Sequence, residues 1–466
     1  MKSNIGKIVG LVGDGGSYTG RKIHGVDVLG NSIELCSTIE QQKVSTLVIL
    51  PPFDTPGSIK DILADLSENA LTCELRILPD FDAMAAGQIT FEKLRPVEID
   101  DLLERKPYEI DLNRLVKFVK GRKVMVTGAG GSIGSEICRQ VVKLQPEVLV
   151  MFDVSEFLLF EISRELKETA DQLGVKLDIC VGDIKNEDQV RKAISANGGV
   201  DVLYHAAAYK HVGMMERNVS VCFQNNILGT ENVAKVAEEE GVEQFVLIST
   251  DKAVRPTSVM GASKRLAEKR IIERASNGKT NFKAVRFGNV LGSSGSVVPI
   301  FREQIAAGGP VTVTSPNVTR YFMTIPEAVE LVLTAGAVVD DRHICVLEMG
   351  SPVKIDTLAR RMIELSGLIP DVDIPIKYIG LYPGEKEYEE LLTDDEDVVP
   401  TDYDRISVMK KNEEGLPVDF DKLLELIGEG DDEALREFAH SCIRGSLLFG
   451  EDLAADKPAE PVASRM

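Results

Sequence analysis

Lys123-Val124-Met125-Val126-Thr127-Gly128-Ala129-Gly130-Gly131-Ser132-Ile133-Gly134 decides the fold. Five apolar-patterned residues make a short buried strand, and the helix-patterned Ser135 to Leu144 follows. Glycines at this spacing allow a tight turn, let backbone N–H groups reach a pyrophosphate and let the helix pack close on the strand, with the helix dipole favouring the phosphate charge. A lone glycine triplet is weak evidence. Here a second apolar strand, Val148 to Phe152, ends in Asp153, nineteen residues after Gly134. An acid there accepts from both ribose hydroxyls and repels a 2′-phosphate, which favours NAD over NADP. The candidate cofactor set at this end is Gly128, Gly131, Ser132, Ile133, Gly134, Asp153, Ser155 and Glu156.

Working outward, strands alternate with helices from 121 to about 300: Leu177 to Val181, Val200 to His205, Gln244 to Thr250 and Phe282 to Phe287. That alternation predicts an α/β, doubly wound parallel sheet, the cofactor-binding catalytic domain (121–300). Beyond it the pattern is mixed, with short strands at Val311 to Val313 and Ile344 to Met349, and 301–450 reads as a smaller substrate-binding and C-terminal region. Amphipathic stretches from Asp419 to Ile427 and Glu433 to Ile443 read as core-packing helices. Residues 1–80 carry an α/β pattern of their own: buried strands at Lys7 to Val12 and Val44 to Leu50, a helix at Ser58 to Ser67 and a strand at Glu74 to Leu78. Gly13-Asp14-Gly15-Gly16 is only part of a phosphate cradle, so this Rossmann-like domain reads as structural or docking. A linker and the helix Asp111 to Lys120 occupy 81–120, the run Asp394 to Asp397 reads as a solvated loop, and 451–466 as a disordered tail.

A net charge of −21 over 466 residues argues against nucleic-acid or anionic-membrane surfaces, which need concentrated basic stripes. A local cationic pocket for a small diphosphate remains compatible with it. Seven cysteines without metal-ligand spacing read as reduced thiols, no metal is expected, and no apolar run reaches the about 18 residues of a membrane span. A soluble cytoplasmic protein is expected, and a homo-oligomer, at least a dimer.

Ser249-Thr250-Asp251-Lys252 follows the apolar run Phe245 to Ile248, and Met260-Gly261-Ala262-Ser263-Lys264 comes next. In a dinucleotide-binding short-chain dehydrogenase these positions carry a Ser or Thr and a Tyr-x-x-x-Lys pair. Met260 stands at the Tyr position, and a thioether cannot exchange a proton. Asp251 and Lys252 are the adjacent acid-base candidates; an isolated Asp-Lys pair is otherwise a solvated turn.

Gly128 to Gly134, Gly182-Asp183-Ile184, His205 to Val212, Thr250-Asp251-Lys252, Arg286 to Val297 and Pro383-Gly384-Glu385-Lys386 together resemble the UDP-N-acetylglucosamine 4,6-dehydratases of bacterial polysaccharide and glycan biosynthesis, extended short-chain dehydrogenase/reductases. The resemblance runs over residues 1 to about 410 and is closest to the long, membrane-anchored branch, whose transmembrane helices this sequence lacks. With such an anchor, the enzyme would work at the cytoplasmic face of the inner membrane. The resemblance implies that Asp183 and Ile184 flank adenine, that Ala206, Ala207 and Ala208 line the cofactor, that Asn225 stands near the nicotinamide, and that Lys264 holds its ribose. It places Lys210, His211, Arg286, Asn289, Val297 and Pro299 near the nucleotide sugar, with Arg320 and Glu385 at its diphosphate and nucleoside. Gly213 replaces a usual Pro and Tyr382 a usual diphosphate-binding Arg, so Arg320 or another cation must compensate.

A 4,6-dehydration needs a base at C5 and an acid at the C6 hydroxyl. Lys252 is the choice for the base, Asp251 for the acid, and Thr250 for a hydrogen bond to the C4 oxygen. An amine of about 10.4 must then lose its proton and a carboxyl of about 3.9 keep one. Desolvation helps both and mutual attraction hinders both, so burial or separation has to win. Adjacent residues of a strand point to opposite faces, so the backbone must also bend here. The alternatives are a nucleotide-sugar 4-epimerase, which should retain the Tyr, and a non-catalytic NAD-binding sensor or scaffold.

Overall fold

The computed structural model describes residues 7–13, 19–69, 71–78, 94–102, 111–274, 279–339, 343–392, 396–409 and 418–443. The chain divides into two compact units, each assembled from separated segments. The larger takes Pro107–Ser296, Asn317–Val353 and Gly380–Met466; the smaller takes Met1–Lys106, Val297–Pro316 and Lys354–Ile379.

A nine-stranded sheet organises the larger unit. Its strands are β1 (Lys123–Thr127), β2 (Val148–Asp153), β3 (Lys176–Val181), β4 (Val202–His205), β5 (Gln244–Ile248), β6 (Asn281–Arg286), β7 (His343–Leu347), β8 (Val398–Pro400) and β9 (Ile406–Met409). Their order is β8-β9-β7-β6-β5-β4-β1-β2-β3, parallel from β3 through β7, with β9 and β8 added antiparallel. Residues 124–127 of β1 and all of β2 and β4 are buried, as strands covered on both faces must be. One apolar layer joins the β1 residues Val124 and Val126 to Ile137 and Val141 of helix α1 (Ser132–Lys143); the other joins Met125 to Val190 and Val233. Progression reverses at β1, between β4 and β2, and a doubly wound sheet opens its ligand crevice at such a switch point.

Helix α2 (Glu156–Leu173) starts at Ser155, whose side chain accepts from Leu158 N, and ends on left-handed Gly174. Helix α3 (Val259–Arg274) carries Met260 and Lys264. Two C-terminal helices, α4 (Phe420–Glu429) and α5 (Asp432–Cys442), bury Leu423, Ile427 and Leu435 in a cluster with Met260, so their apolar faces are core.

In the smaller unit Thr46–Ile49 and Glu74–Ile77 pair in parallel across the helix Pro56–Glu68, with Arg95–Pro96 antiparallel at the edge. The helix Ile355–Leu365 packs on Pro56–Glu68 and on the turn Ile99–Leu102, and Val311–Val313 pairs with Ile376–Tyr378. The strand expected over Lys7 to Val12 shortens to Leu11–Val12, which pairs with Val26–Gly30 in a separate sheet. Ile8 is 69% exposed, outside the paired segment Leu11–Val12. The acidic run also departs from expectation: Glu396 is buried in an ion pair with Arg286, whereas Asp394 and Asp395 lie outside the described residues, as do most of the Gly13 to Gly16 turn and the tail from 451. No helix among the described residues is long and apolar enough to cross a membrane.

Candidate active site

The turn after β1 is closed too tightly for side chains. Gly128 has φ +68°, and a Cβ there would stand 2.7 Å from Ala207 N; one on Gly134 would stand 2.0 Å from Gly128 O. Helix α1 therefore begins pressed against the strand end, with Gly131 at its N-cap and no side chain spent on capping it. Ser132 and Ile133 occupy its first turn, and Ser132 Oγ accepts from Ser294 N at 3.2 Å. Asp153 accepts from Gly130 N and Ser155 N, both at 2.9 Å, so it shapes the turn while standing at the end of β2; Glu156 is exposed at the start of α2. Asp183 is held by Lys185 through backbone N–H and ammonium, and Ile184 is buried against Gly229. Ala206, Ala207 and Ala208 continue from β4, half-buried beside Gly128. These residues fit a dinucleotide: a cradle with room for backbone only, N–H groups at a helix start and an acid at the next strand end.

Strand β5 ends at Ile248, and the backbone then bends as acid-base chemistry from adjacent residues requires. Thr250 is extended and caps a 3-10 turn, Asp251–Ala253. Thr250 Oγ1 donates to Asp251 Oδ1 at 2.8 Å, and Lys252 Nζ donates to that same oxygen at 3.0 Å and to Asn289 Oδ1 at 2.9 Å. Glu389 Oε1 lies 3.5 Å from Lys252 Nζ. Asp251 is fully buried, yet its Oδ2 has no hydrogen-bond partner, and neither has Glu389 Oε2. An open cavity of about 220 Å³ borders this group, lined by Lys252, Thr257, Ser258, Arg320, Glu385 and Glu389.

The charge on Lys252 departs from expectation. Burial pushes its pKa down, but the carboxylates of Asp251 and Glu389 outweigh burial and hold it above the ordinary lysine value. Three acceptors around one ammonium explain the result: attraction wins in the resting site.

Met260 is buried among Met215, Cys222, Phe223 and Leu266, an apolar setting in which a thioether packs well. One turn on, Lys264 Nζ donates to Ile248 O at 2.6 Å, and burial lowers its pKa to about 8. Two more N–H donors suit ribose hydroxyls. Asn225 lies in a π-helical turn, Gln224–Leu228, and donates to Asn226. Such turns gather at functional sites. Asn226 in turn fastens both Tyr209 N and O and Ser263 Oγ. His205 bridges Thr127 and Thr230 from its two ring nitrogens, and burial, with Lys264 nearby, lowers its pKa to about 3.

Lys210 and His211 are exposed after β4, with the His211 ring against Gly295. Asn289 faces Lys252. Arg286 has a different setting from the one expected: its fully buried guanidinium is taken up by Glu268 and Glu396, which directs it into the core. Arg320 donates to Glu385 Oε1, Lys386 O, Glu387 O and Thr319 O, clasping the 385–387 loop. Val297 and Pro299 begin a helix of the smaller unit. Glu389, Glu268 and Asn226 escaped the sequence reading. Glu389 had one signal, its place four residues after Glu385 in the Pro-Gly-Glu-Lys segment.

Over residues 124–411 the chain matches the family described as polysaccharide biosynthesis protein. The probable polysaccharide biosynthesis protein EpsC of Bacillus subtilis (strain 168) is 42% identical over 85% of this chain and 66% of its own length, so the chain spans a little under two thirds of that relative. A UDP-glucose 4-epimerase of Rickettsia akari (strain Hartford) is 35% identical over 59% of this chain and 79% of that protein. The X-ray structure of Pen from Bacillus thuringiensis superposes with a TM-score of 0.58 at 33% identity, covering 63% of this chain and 89% of that one.

Proposed function

The chain belongs to the polysaccharide biosynthesis protein family, extended short-chain dehydrogenase/reductases with the Rossmann fold, and on that premise we propose that it is an NAD-dependent 4,6-dehydratase of UDP-N-acetylglucosamine. Its product is a UDP-4-keto-6-deoxy-N-acetylhexosamine for glycan or polysaccharide assembly. The observation that carries this reading is the bonded trio Thr250, Asp251 and Lys252 at the end of β5, beside a Met260 that cannot serve as the phenol. Bound at this crevice, NAD would supply the hydride acceptor for C4 and the hydride donor for C6.

The protein's own groups move the protons. Thr250 binds the C4 oxygen and passes its proton to Asp251, to which its hydroxyl already donates. Asp251, now a carboxylic acid, protonates the departing C6 hydroxyl. Lys252 takes the C5 proton, made acidic by the C4 ketone, and returns it at the end. Gly128, Gly131, Ser132, Ile133, Gly134, Asp153, Ser155, Glu156, Asp183, Ile184, Ala206, Ala207, Ala208, Asn225 and Lys264 would hold the cofactor; Lys210, His211, Asn289, Arg320 and Glu385 would hold the nucleotide sugar.

The relative named as a UDP-glucose 4-epimerase favours a second reading, C4 inversion without loss of water. Incubation with UDP-N-acetylglucosamine, followed by NMR, separates the two. Dehydration gives a C6 methyl signal and a C4 ketone; an epimerised sugar that keeps its C6 hydroxyl overturns the dehydratase.

A further inference from the structure

Lys252 is supplied with as many acceptors as an ammonium has protons: Asp251 Oδ1, Asn289 Oδ1 and, slightly further away, Glu389 Oε1. A base must have an open lone pair, so one of these three N–H bonds has to give up its proton before Lys252 can act at C5. The Asn289 amide is not basic. Asp251 already receives the Thr250 hydroxyl and is needed to collect the C4 hydroxyl proton. Glu389 is left. Its side chain is 4% exposed, Arg320 Nε stands 3.8 Å from the same Oε1, and its Oε2 is buried without a partner at the cavity wall. A carboxylate so placed has an oxygen to spare for a proton or for a substrate donor.

We infer that Glu389 takes the proton Lys252 must shed, and so makes Lys252 a base. The inference rests on the dehydratase reading. In the step, an N–H bond of Lys252 breaks with its electron pair left on nitrogen, and an O–H bond forms on Glu389. Two opposite charges become two neutral groups, and no other reactant enters. Lys252 then accepts the C5 proton, gives it back when C5 is reprotonated, and Glu389 returns its own. Glu389 acts through Lys252 and is a positioning residue in this scheme.

The test compares Glu389→Gln, Glu389→Asp and Lys252→Met with the parent holoenzyme, using UDP-N-acetylglucosamine in deuterated water. Glu389→Gln should retain bound cofactor and thermal stability and still oxidise C4, seen as reduced-nicotinamide absorbance, while deuterium entry at C5 falls about 100-fold, the size of a lost acid-base contribution. Glu389→Asp, which keeps a carboxyl, should recover part of the exchange. A Glu389 that merely anchors the ammonium predicts the opposite sign: without its charge Lys252 loses a proton more readily, and exchange rises. Exchange in Glu389→Gln at or above the parent rate overturns the inference. Should the amide variant unfold, Glu389→Asp decides alone, by selective loss of C5 exchange relative to C4 oxidation or by its absence. C5 exchange surviving in Lys252→Met puts the base elsewhere and overturns the inference, whereas a parent enzyme that neither exchanges C5 nor forms a C6 methyl brings down the dehydratase reading itself; normal exchange in Glu389→Gln beside a dead Lys252→Met brings down only the role of Glu389.

Discussion

At the residue scale the proposed dehydration gives the three side chains after β5 separable tasks. On the proposed route, Asp251→Asn keeps the geometry but can neither collect the C4 hydroxyl proton nor carry it to C6, so C5 exchange and water loss should both fall by about 100-fold or more. NMR of one reaction mixture reads both. Replacing Met260 with Tyr introduces a larger ring into a packed apolar cluster, at about 1–3 kcal/mol. If Thr250 and Asp251 already manage C4, turnover should stay level or fall; a tenfold rise, about 1.4 kcal/mol of barrier, would show that C4 proton removal was limiting. His205 makes a different prediction. Held neutral to about pH 3 in the fold and free to protonate near 6.5 when unfolded, it favours the unfolded chain as protons are added. Stability should therefore drop by about 1.4 kcal/mol per pH unit from this group as pH falls from 6.5 toward 3. Urea titrations at pH 7 and 5 should show the extra loss in the parent and not in His205→Gln.

Among elements, the join between β1 and α1 is the most sensitive to a single atom. Gly134→Ala puts a methyl 2.0 Å from a backbone oxygen, and backbone cannot swing aside as a side chain can. The helix must lift from the strand, so NAD should no longer co-purify, whereas the parent should yield about one NAD per chain on acid quenching, the stoichiometry of one crevice per doubly wound sheet. NADP in its place would overturn the argument from Asp153. This join was legible because all its determinants lie within about thirty residues of sequence. The bend after β5 was legible only as a requirement, and the 3-10 turn capped by Thr250 meets it. Lys252's charge could not be read. It depends on a balance between burial and carboxylates, one of which, Glu389, arrives from 137 residues away along the chain.

Over the whole molecule the same reason separates what was read from what was missed. The alternation of strands and helices predicts the parallel sheet, since each strand and its helix are neighbours in sequence. Arg286 resembled a sugar contact because its motif is local, but its partners Glu268 and Glu396 come from α3 and from a loop 110 residues on. Arg286→Met would take the buried cation from Glu268 and Glu396 and leave both to Arg265, which also pairs with each, at a cost of up to about 3–5 kcal/mol, measurable as a lower unfolding midpoint in urea. An unchanged midpoint would mean that Arg265 suffices to balance both carboxylates.

The smaller unit has a consequence for synthesis. Its N-terminal segment includes the helix Pro56–Glu68, which packs against Ile355–Leu365, and the latter is translated only after β1 to β7. The helix Pro56–Glu68 therefore waits for one of its packing partners while seven of the nine strands of the larger sheet are translated. A chaperone that binds nascent apolar segments would find a long-lived target in the helix Pro56–Glu68.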